Sequence, residues 1–319
     1  MKIMVSGGAG FIGSNVVDAY IRAGHQVAVV DDLSNGKKEN VHPKACFYEK
    51  DIRSEEMDGI FELERPDVLN HHAAQISVPA SVSDPLLDAD INIKGFLNLL
   101  EKAVKYRVKK CIFISSGGAI YGEADEYPTS EAYPPKPLSP YAVAKLASEY
   151  YLAYYKHQYG LSFTTLRYAN VYGPRQIPHG EAGVVAIFMN NLLNRKPCTL
   201  NHFPEDPKGM IRDYCYVGDV TEASLLALSK GNDDFFNIGT GIETKTLELY
   251  RVIYEAVREI YPGLPEELAM PGTALARPGD VTRSCLKIEK AENGLGWSPK
   301  IDLREGIRKT LKWWVGSSE

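Results

Sequence analysis

The first half of the chain alternates short β-branched runs with longer segments whose apolar residues recur at helical spacing. That periodicity predicts strands followed by amphipathic helices. Strands are predicted at residues 2–6, 26–31, 45–49, 67–71, 109–115 and 161–167, and helices at 12–23, 84–105 and 139–159. This alternation is typical of right-handed βαβ units. We therefore expect an α/β fold whose doubly wound parallel sheet carries helices on both faces.

The second half of the chain is less regular. Pro and Gly become denser around 173–183 and 204–209, where the alternation stops. Helices are predicted at 184–194, 219–230, 246–261 and 302–315, with short strands among them. The pattern indicates two domains, 1–170 and a smaller mixed α/β domain at 171–319, with sheet strands partly interleaved between them.

Composition and charge narrow the classes of function. Hydrophobic residues make up 44% of the 319 residues and charged residues 24%, as in ordinary globular proteins. Lys and Arg total 36 against 41 Asp and Glu without a long basic run, so no nucleic-acid partner is expected. No stretch approaches the ~18 apolar residues of a membrane span, and no signal peptide precedes the first strand. We expect a cytoplasmic protein whose five scattered cysteines are reduced.

A glycine triplet directly follows the first predicted strand. Gly7, Gly10 and Gly13 bracket Phe11 and Ile12, and a helical pattern begins at once. In Rossmann-type domains this spacing permits a tight turn, a close approach of backbone to a pyrophosphate, and close packing of helix on strand. The strand–turn–helix context makes the motif specific for a dinucleotide.

The second strand ends at Asp31, 18 residues after Gly13. A carboxylate ~20 residues after the glycines accepts hydrogen bonds from the adenosine ribose and repels a 2′-phosphate. The cofactor is therefore predicted to be NAD rather than NADP. Asp32 is adjacent, and spacing does not decide between them; Asp31 is favoured because it ends the hydrophobic strand.

Tyr141 and Lys145 are the candidate acid–base pair. They stand four residues apart on a predicted helix that starts at Ser139 and Pro140, so phenol and ammonium share one face. A nearby cation favours the phenolate. Tyr106 and Lys110 have the same spacing, but they lack the helix-start residues and are interpreted as surface residues.

Further motifs place the chain in a known family. The glycine triplet, the Ser-Ser-x-x-x-x-Tyr-Gly stretch at 115–122 and the Tyr141/Lys145 pair resemble the extended short-chain dehydrogenase/reductase family. Within it, the segments 166–174, 212–214 and 277–280 resemble those of nucleotide-sugar epimerases. The resemblance covers essentially the whole chain.

The resemblance implies NAD-dependent 4-epimerisation of a UDP-hexose through a transient 4-keto sugar, by a homodimer. Tyr141 would be the acid/base, Lys145 would bind the nicotinamide ribose and favour phenolate, and Ser116 would bond the sugar hydroxyl. The implied NAD site comprises Gly7, Gly10, Phe11, Ile12, Gly13, Asp31, Asn35, Gly36, Asp51, Ile52, Ala73, Ala74, Gln75, Asn92, Ser115, Tyr141, Lys145 and Tyr168. The implied substrate site comprises Ser116, Asn170, Arg212, Arg277, Asp280 and Ser284.

Departures from the family pattern leave alternatives open. Relatives often carry Ser or Thr where this chain has Gly117, so the hydroxyl moves back to Ser116. Dehydratases and decarboxylases place an acid in this stretch; here only Glu123 is near. The small Ser284 suggests room for an N-acetylhexosamine. Uronic acid epimerisation, dehydration, reduction and a non-catalytic NAD-binding role remain alternatives.

Two clusters are given structural interpretations. His71 and His72 lack a third ligand at metal spacing, so no metal site is predicted. Tyr150, Tyr151, Tyr154 and Tyr155 are interpreted as core residues, although the resemblance implies that their helix pairs with helix 84–105 at a two-fold dimer interface.

Overall fold

The computed structural model describes residues 1–178, 183–277 and 280–316. Its main sheet has seven parallel strands: β1 Lys2–Ser6, β2 Gln26–Asp31, β3 Cys46–Glu49, β4 Val68–His71, β5 Lys110–Ser116, β6 Ser162–Tyr168 and β11 Asp234–Ile238. They lie in the order β11-β6-β5-β4-β1-β2-β3. The predicted fold class is confirmed, and the six strands predicted in the first half lie within a residue or two of their expected bounds.

Helices cover both faces of this sheet and build most of the second half. They are α1 Phe11–Arg22, α2 Met57–Glu64, α3 Val78–Ser83, α4 Pro85–Ala89, α5 Phe96–Lys105, α6 Gly117–Ile120, α7 Pro140–Tyr159, α8 Val184–Leu193, α9 Val217–Ala227, α10 Thr246–Ile260, α11 Glu289–Leu295 and α12 Leu303–Gly316. Six short strands form separate pairs: β7 Asn170–Tyr172 with β10 Tyr214–Tyr216, β8 Thr199–His202 with β13 Gly272–Leu275, and β9 Ile211–Arg212 with β12 Thr244–Lys245.

The prediction of one regular helix at 84–105 is wrong. α4 ends at Ala89, a π-helical turn spans Asp90–Gly95, and α5 follows. Asp84 caps α4 by accepting the Leu87 N–H at 2.9 Å. A π-turn widens the helix by one residue per turn and re-aims its side chains, which sequence periodicity does not register.

Two apolar layers hold the helices to the sheet. On one face, Val16 and Tyr20 of α1 pack with Val5 and Ala223. On the other, Phe61 of α2, Leu99 of α5 and Leu152 of α7 pack against Met4 and Phe113. Burial of these side chains on both faces explains why the strands are continuous hydrophobic runs.

The second half forms its own core but also completes the main sheet. Phe188 of α8, Ile253 of α10 and Ile307 of α12 lie in a third apolar cluster. β11, in contrast, pairs in parallel with β6, from Asp234 opposite Thr164 to Ile238 opposite Tyr168. The division into domains 1–170 and 171–319 stays a prediction, and any such domains share one sheet.

No helix in the described ranges combines the length and apolar character required to cross a bilayer. The five cysteines are free thiols; Cys46 is exposed and the others are buried.

The order of the strands positions a cleft. The chain runs outward from β1 through β2 and β3, then crosses back to β4 on the other side of β1. In open parallel sheets, ligands bind outside the carboxyl ends of the strands at such a switch point. The loops after β1, β2, β4 and β5 converge there.

Two helical glycines provide a paired test of packing. A Cβ at Gly306 in α12 would lie 2.0 Å from the Tyr172 hydroxyl oxygen, whereas one at the exposed Gly59 in α2 would meet nothing within 4 Å. We expect Gly306→Ala to destabilise the protein by about 1–3 kcal/mol through overpacking. Gly59→Ala should stabilise it by about 0.4–1 kcal/mol. Urea unfolding measures both, and equal midpoints would contradict the packing.

Candidate active site

A cavity of about 500 Å³ opens at the carboxyl ends of the central strands. Every residue of the predicted cofactor site except Asn92 lines it, as does Ser116. These residues are Gly7, Gly10, Phe11, Ile12, Gly13, Asp31, Asn35, Gly36, Asp51, Ile52, Ala73, Ala74, Gln75, Ser115, Ser116, Tyr141, Lys145 and Tyr168.

The glycine turn leaves no room for side chains. Gly7 has φ +72°, and a Cβ there would lie 2.5 Å from the Ala73 backbone nitrogen. A Cβ at Gly13 would lie 2.1 Å from the Gly7 carbonyl oxygen. α1 begins at Phe11 with Gly10 as its N-cap and no capping side chain. The N–H groups of its first turn therefore remain available to an anionic pyrophosphate.

Asp31 and Asp32 both line the cavity, but Asp31 is buried whereas Asp32 is exposed. The assignment of Asp31 to the ribose stays a prediction. Asp31 is 7% exposed and accepts the N–H groups of Ala9 and Leu33, each at 2.9 Å. Burial raises the pKa of Asp31, and these backbone hydrogen bonds oppose the rise. A Cβ at Gly36 would lie 2.7 Å from an Asp31 carboxylate oxygen, so this glycine preserves the carboxylate's position.

Arg53 is a member of the site that sequence reasoning missed. Its guanidinium binds Asp51, with Nε at 3.0 Å from Oδ1, and also reaches Asp90 at 2.6 Å. Hydrogen bonds from Arg53 lower the pKa of Asp51. The sequence feature that could have identified Arg53 is its position directly after Asp51 and Ile52, which were both predicted to lie in the cofactor site. Arg175 was also missed: it lines the cavity, has φ +71°, and pairs with Asp18 at 2.7 Å.

Asn92 lies behind the cavity wall. Its Oδ1 accepts the Gln75 N–H at 2.9 Å, and its Nδ2 donates to the Gln75 carbonyl at 3.0 Å. Both ends of the amide therefore hold the backbone of a residue that lines the cavity. Direct contact of Asn92 with the cofactor stays a prediction, and bracing of Gln75 is what the geometry provides.

α7 delivers the acid–base pair to the cavity. Ser139 caps this helix by accepting the Ala142 N–H at 3.2 Å, and Pro140 occupies its first turn. Lys145 Nζ donates to the Ile114 carbonyl at 2.9 Å and lies 5.8 Å from the centre of the Tyr141 ring. The pair therefore faces the end of β5, as its spacing predicted.

Burial dominates the titration of both groups. It raises the pKa of Tyr141 to about 12, and a hydrogen bond with Ser116 opposes that rise. Burial lowers the pKa of Lys145 to about 8, against the influence of the Asp88 and Glu149 carboxylates. The contact that favours phenolate in this structure is thus Ser116, because the Lys145 ammonium is directed at a backbone carbonyl. Stabilisation of the phenolate by Lys145 stays a prediction.

Ser115 and Tyr168 complete the cavity floor. The Ser115 hydroxyl is buried and has no hydrogen-bond partner among the described residues. The Tyr168 hydroxyl lies 3.1 Å from Ser224 Oγ, which leaves its ring to line the cavity.

The predicted substrate residues flank the turn that follows Ser116. A Cβ at Gly118 would lie 3.5 Å from Asn170 Oδ1 and 3.8 Å from Ser284 Oγ. These two polar groups therefore converge on open space beside Gly118. Gly117 is required by packing, since a Cβ there would lie 2.6 Å from Leu286 Cδ1.

Arg212 is bound to backbone rather than to acids. Its guanidinium donates to the carbonyls of Ile211 and Val281, each at 2.8 Å. Within the described ranges, no carboxylate lies at ion-pair distance from it. Arg277 donates its N–H to Asp280 Oδ2 at 2.9 Å, and the intervening 278–279 of this motif lie outside the described residues. The half-buried guanidinium of Arg212 suits a phosphate.

Glu123 is committed elsewhere. Its carboxylate accepts the N–H and hydroxyl of Thr282 at 2.6 and 2.7 Å. An acid held in this way is not directed at Tyr141, and it is absent from the cavity lining.

The histidines are packed into the sheet. His71 lies 2.7 Å from Ser6 Oγ and stacks on Phe96 with ring centroids 4.6 Å apart. His72 lines the cavity, and burial and the Lys145 charge lower its pKa to about 3. Among the described residues there is no group of three or more potential metal ligands.

Two interpretations of tyrosines are wrong. Tyr155 is buried, but Tyr150, Tyr151 and Tyr154 are 69%, 38% and 49% exposed, because α7 presents one side to solvent. Tyr106 and Lys110 are not surface residues; they are 8% and 5% exposed. Lys110 lies at the start of β5, so this pair sits at the end of the sheet opposite the cavity.

A parallel sheet with a glycine turn at its switch point and a Tyr–Lys pair lining the same cavity defines a dinucleotide-binding protein with acid–base machinery. The profile of the NAD dependent epimerase/dehydratase family matches residues 3–239, and the chain belongs to this family. The UDP-glucose 4-epimerase of Mycolicibacterium smegmatis is 43% identical over 325 residues, with 100% of both chains covered.

Solved structures show the same similarity. A UDP-glucose 4-epimerase of Thermotoga maritima, solved with UDP-glucose, is 48% identical with a TM-score of 0.93, covering 100% of both chains. The enzyme of Thermus thermophilus in complex with NAD is 46% identical with a TM-score of 0.90, covering 99% of this chain and 100% of that one.

The Ser116 contact generates a prediction. Ser116→Ala removes the hydrogen bond that favours the Tyr141 phenolate, so the pKa of Tyr141 should rise further above its ordinary value. The difference in near-ultraviolet phenolate absorbance between each protein and its Tyr141→Phe counterpart isolates this titration. Ser115→Ala is the control, because the Ser115 hydroxyl has no partner among the described residues to lose. An unchanged midpoint in Ser116→Ala would contradict the contact.

Proposed function

We propose that this chain catalyses the NAD-dependent 4-epimerisation of a UDP-hexose. The observation that carries the proposal is that Ser116, Tyr141 and Lys145 line the same cavity as the glycine turn and Asp31. The enzyme is an isomerase. Its relatives of M. smegmatis, T. maritima and T. thermophilus are UDP-glucose 4-epimerases that align with it from end to end.

The cofactor is NAD, and the residues of the cavity fit it. The glycine turn and the uncapped start of α1 would hold the pyrophosphate, and Asp31 would accept hydrogen bonds from the adenosine ribose hydroxyls. Asp51, held by Arg53, suits the amino group of the adenine. When bound, NAD would supply the hydride acceptor for oxidation of the sugar C4 and, once reduced, the hydride donor for its re-reduction.

Tyr141 exchanges the proton of the sugar 4-hydroxyl. Its side chain is half-buried and lines the cavity together with Ser116, so it can act on a ligand held there. Ser116 stabilises the deprotonated tyrosine and orients the sugar hydroxyl through the same oxygen. The Ile114 carbonyl accepts a hydrogen bond from Lys145 and holds its ammonium at the end of β5. This positive charge disfavours any further positive charge at the same place.

The substrate is proposed to occupy the side of the Ser116 turn formed by Asn170 and by residues of the 171–319 domain. Arg212 and Arg277 would bind the diphosphate, with Asp280 fixing the Arg277 backbone. Asn170 and Ser284 line the space beside Gly118, where the sugar would lie. Because Ser284 is small, that space should admit an N-acetylhexosamine as well as an unacetylated sugar.

Dehydration is the main competing reaction in the family, and the dTDP-D-glucose 4,6-dehydratase of Bos taurus is 30% identical. Elimination needs an acid next to Tyr141. Glu123 is bound to Thr282 instead, which favours epimerisation.

The enzyme is further proposed to act as a homodimer. α3 and α4 pack beside α7 and share an outward apolar face with it. Leu86 is 83% exposed, Val82 55% and Tyr150 69%. Apolar residues grouped on neighbouring helices mark an interface more often than a monomer surface. Two copies joined by this face would bury it across a two-fold axis.

The activity is tested by a proton NMR time course with UDP-galactose, in parallel with UDP-N-acetylgalactosamine and without added NAD. We expect both to yield their gluco epimers, using NAD that stays bound through purification. Tyr141→Phe should lose roughly a hundredfold or more of the rate, as expected for removal of an acid–base group. Tyr106→Phe, at the other end of the sheet, is the matched control. No conversion by NAD-containing protein would overturn the proposal.

The dimer is tested by charge insertion. Leu86→Glu places a carboxylate in the proposed interface and should convert a dimer into a monomer in analytical ultracentrifugation. Leu275→Glu is the control, since Leu275 in β13 is 66% exposed and lies far from α4 in sequence and in the fold. Wild-type protein that sediments as a monomer at all concentrations would refute the interface.

A further inference from the structure

Asp88 is a buried acid that has no role in the function described above. It lies near the end of α4, just before the π-turn, and is 1% exposed. Its Oδ1 accepts two hydrogen bonds, from Gln75 Nε2 at 2.9 Å and from Asn92 Nδ2 at 3.0 Å. Its Oδ2 is buried and makes no hydrogen bond within the described ranges. A buried carboxylate with an unused oxygen is costly to keep, so its presence calls for a compensating benefit.

The carboxylate closes a small frame around Gln75. Asn92 bonds the Gln75 backbone at both its N–H and its carbonyl, and Asp88 bonds the Gln75 side chain. The π-turn makes this possible because it directs Asn92 and Asp88 to the same residue. Gln75 lines the cofactor cavity, so Asp88 helps to fix one wall of that cavity.

Asp88 also contributes a charge to the acid–base pair, because α4 and the π-turn pack against α7. Burial raises the pKa of Asp88, while its two hydrogen bonds and the charge of Lys145 oppose the rise. The charged or titratable groups that face this region from α7 are Tyr141, Lys145 and Glu149, and those from the end of β4 are His71 and His72.

Most of these groups are already neutral or paired. Burial lowers the pKa of His71 and His72 well below 6.5, so both are uncharged near neutral pH. Glu149 is paired with the buried Arg167 at 2.6 Å. In the described part of the chain, Asp88 has no cation at ion-pair distance, so its charge acts on Lys145 and Tyr141 without being cancelled locally.

We propose that Asp88 is a positioning residue for the epimerisation. It holds the Gln75 wall and places a negative charge on the helix that packs against α7, which carries Tyr141 and Lys145. This inference rests on the proposed function. It adds Asp88 on α4 to the residues of α7 that control proton transfer, because the two helices pack against each other.

The charge has a consequence of definite sign. A negative charge raises the pKa of every group near it, whether that group is a lysine or a tyrosine. Removing it should therefore lower the pKa of Lys145 and of Tyr141 together. Loss of a purely structural contact would reduce the rate or the stability without moving both ionisations in the same direction.

The test compares the wild-type protein with Asp88→Asn, purified with its cofactor. Asparagine keeps an oxygen to accept from Gln75 and Asn92 but has no charge. We expect the pH dependence of kcat to move to lower pH by about half a unit or more. On the alkaline side this lowers kcat about threefold at fixed pH. Asp88→Glu, which restores the charge, should return the profile toward that of the wild type.

Asp84→Asn is the matched control. It removes an exposed carboxylate four residues earlier on the same element, and asparagine caps the start of α4 as well as aspartate does. Its profile should coincide with that of the wild type. If Asp88→Asn does not accumulate as folded protein, Asp88→Ala takes its place, with the same downward movement required.

A second readout does not depend on turnover. The phenolate absorbance difference between Asp88→Asn and its double variant with Tyr141→Phe gives the Tyr141 midpoint directly, and it should lie below the wild-type midpoint. A lowered midpoint in protein that turns over no nucleotide sugar would support the inference while refuting the proposed function. Normal epimerisation with an unmoved midpoint and profile would overturn the inference alone.

Discussion

The close approach of the glycine turn to the end of β4 is the constraint on which the site depends. A Cβ at Gly7 would collide with the His72–Ala73 backbone, and one at Gly13 would collide with the Gly7 carbonyl. Only with both positions bare can α1 start directly above β1 with its first N–H groups uncovered. The loop after β4, which carries Gln75, is thereby brought against the same turn. The contact between the Gly7 backbone and the His72–Ala73 backbone therefore positions both the start of α1 and the wall of the cavity that carries Gln75.

Around that turn, polar groups are fixed by backbone rather than by ion pairs. Asp31 is held by two N–H groups and Lys145 by the Ile114 carbonyl. Backbone partners keep a charged side chain in place without neutralising it, so its charge remains available to a ligand or to a neighbouring acid. Two arginines that line the cavity are exceptions, since Arg53 pairs with Asp51 and Arg175 pairs with Asp18.

The sequence predicted what depends on periodicity and on local spacing. Strand and helix positions in the first half follow from alternating apolar runs. The distance from Gly13 indicates an acid at the end of β2, and Asp31 is favoured over Asp32 because it ends the hydrophobic strand. What it missed depends on contacts between distant segments. Arg53 reaches Asp90, and Asp88 reaches Gln75, only when α4, the π-turn and the loops after β3 and β4 meet. The exposure of Tyr150 was missed for a related reason, since a helix with apolar residues on two sides is ambiguous until its neighbours are placed.

The strand β11 has a consequence for how the protein is made. It pairs along its length with β6, yet it follows β6 by more than sixty residues of chain that build other elements. During synthesis, β6 is therefore an unpaired edge strand of the nucleotide-binding sheet until the chain through residue 238 has left the ribosome. A fragment that stops near residue 170 would keep that edge permanently, which makes it a poor candidate for an independent nucleotide-binding module. Fusion or truncation designs should instead preserve the chain through β11.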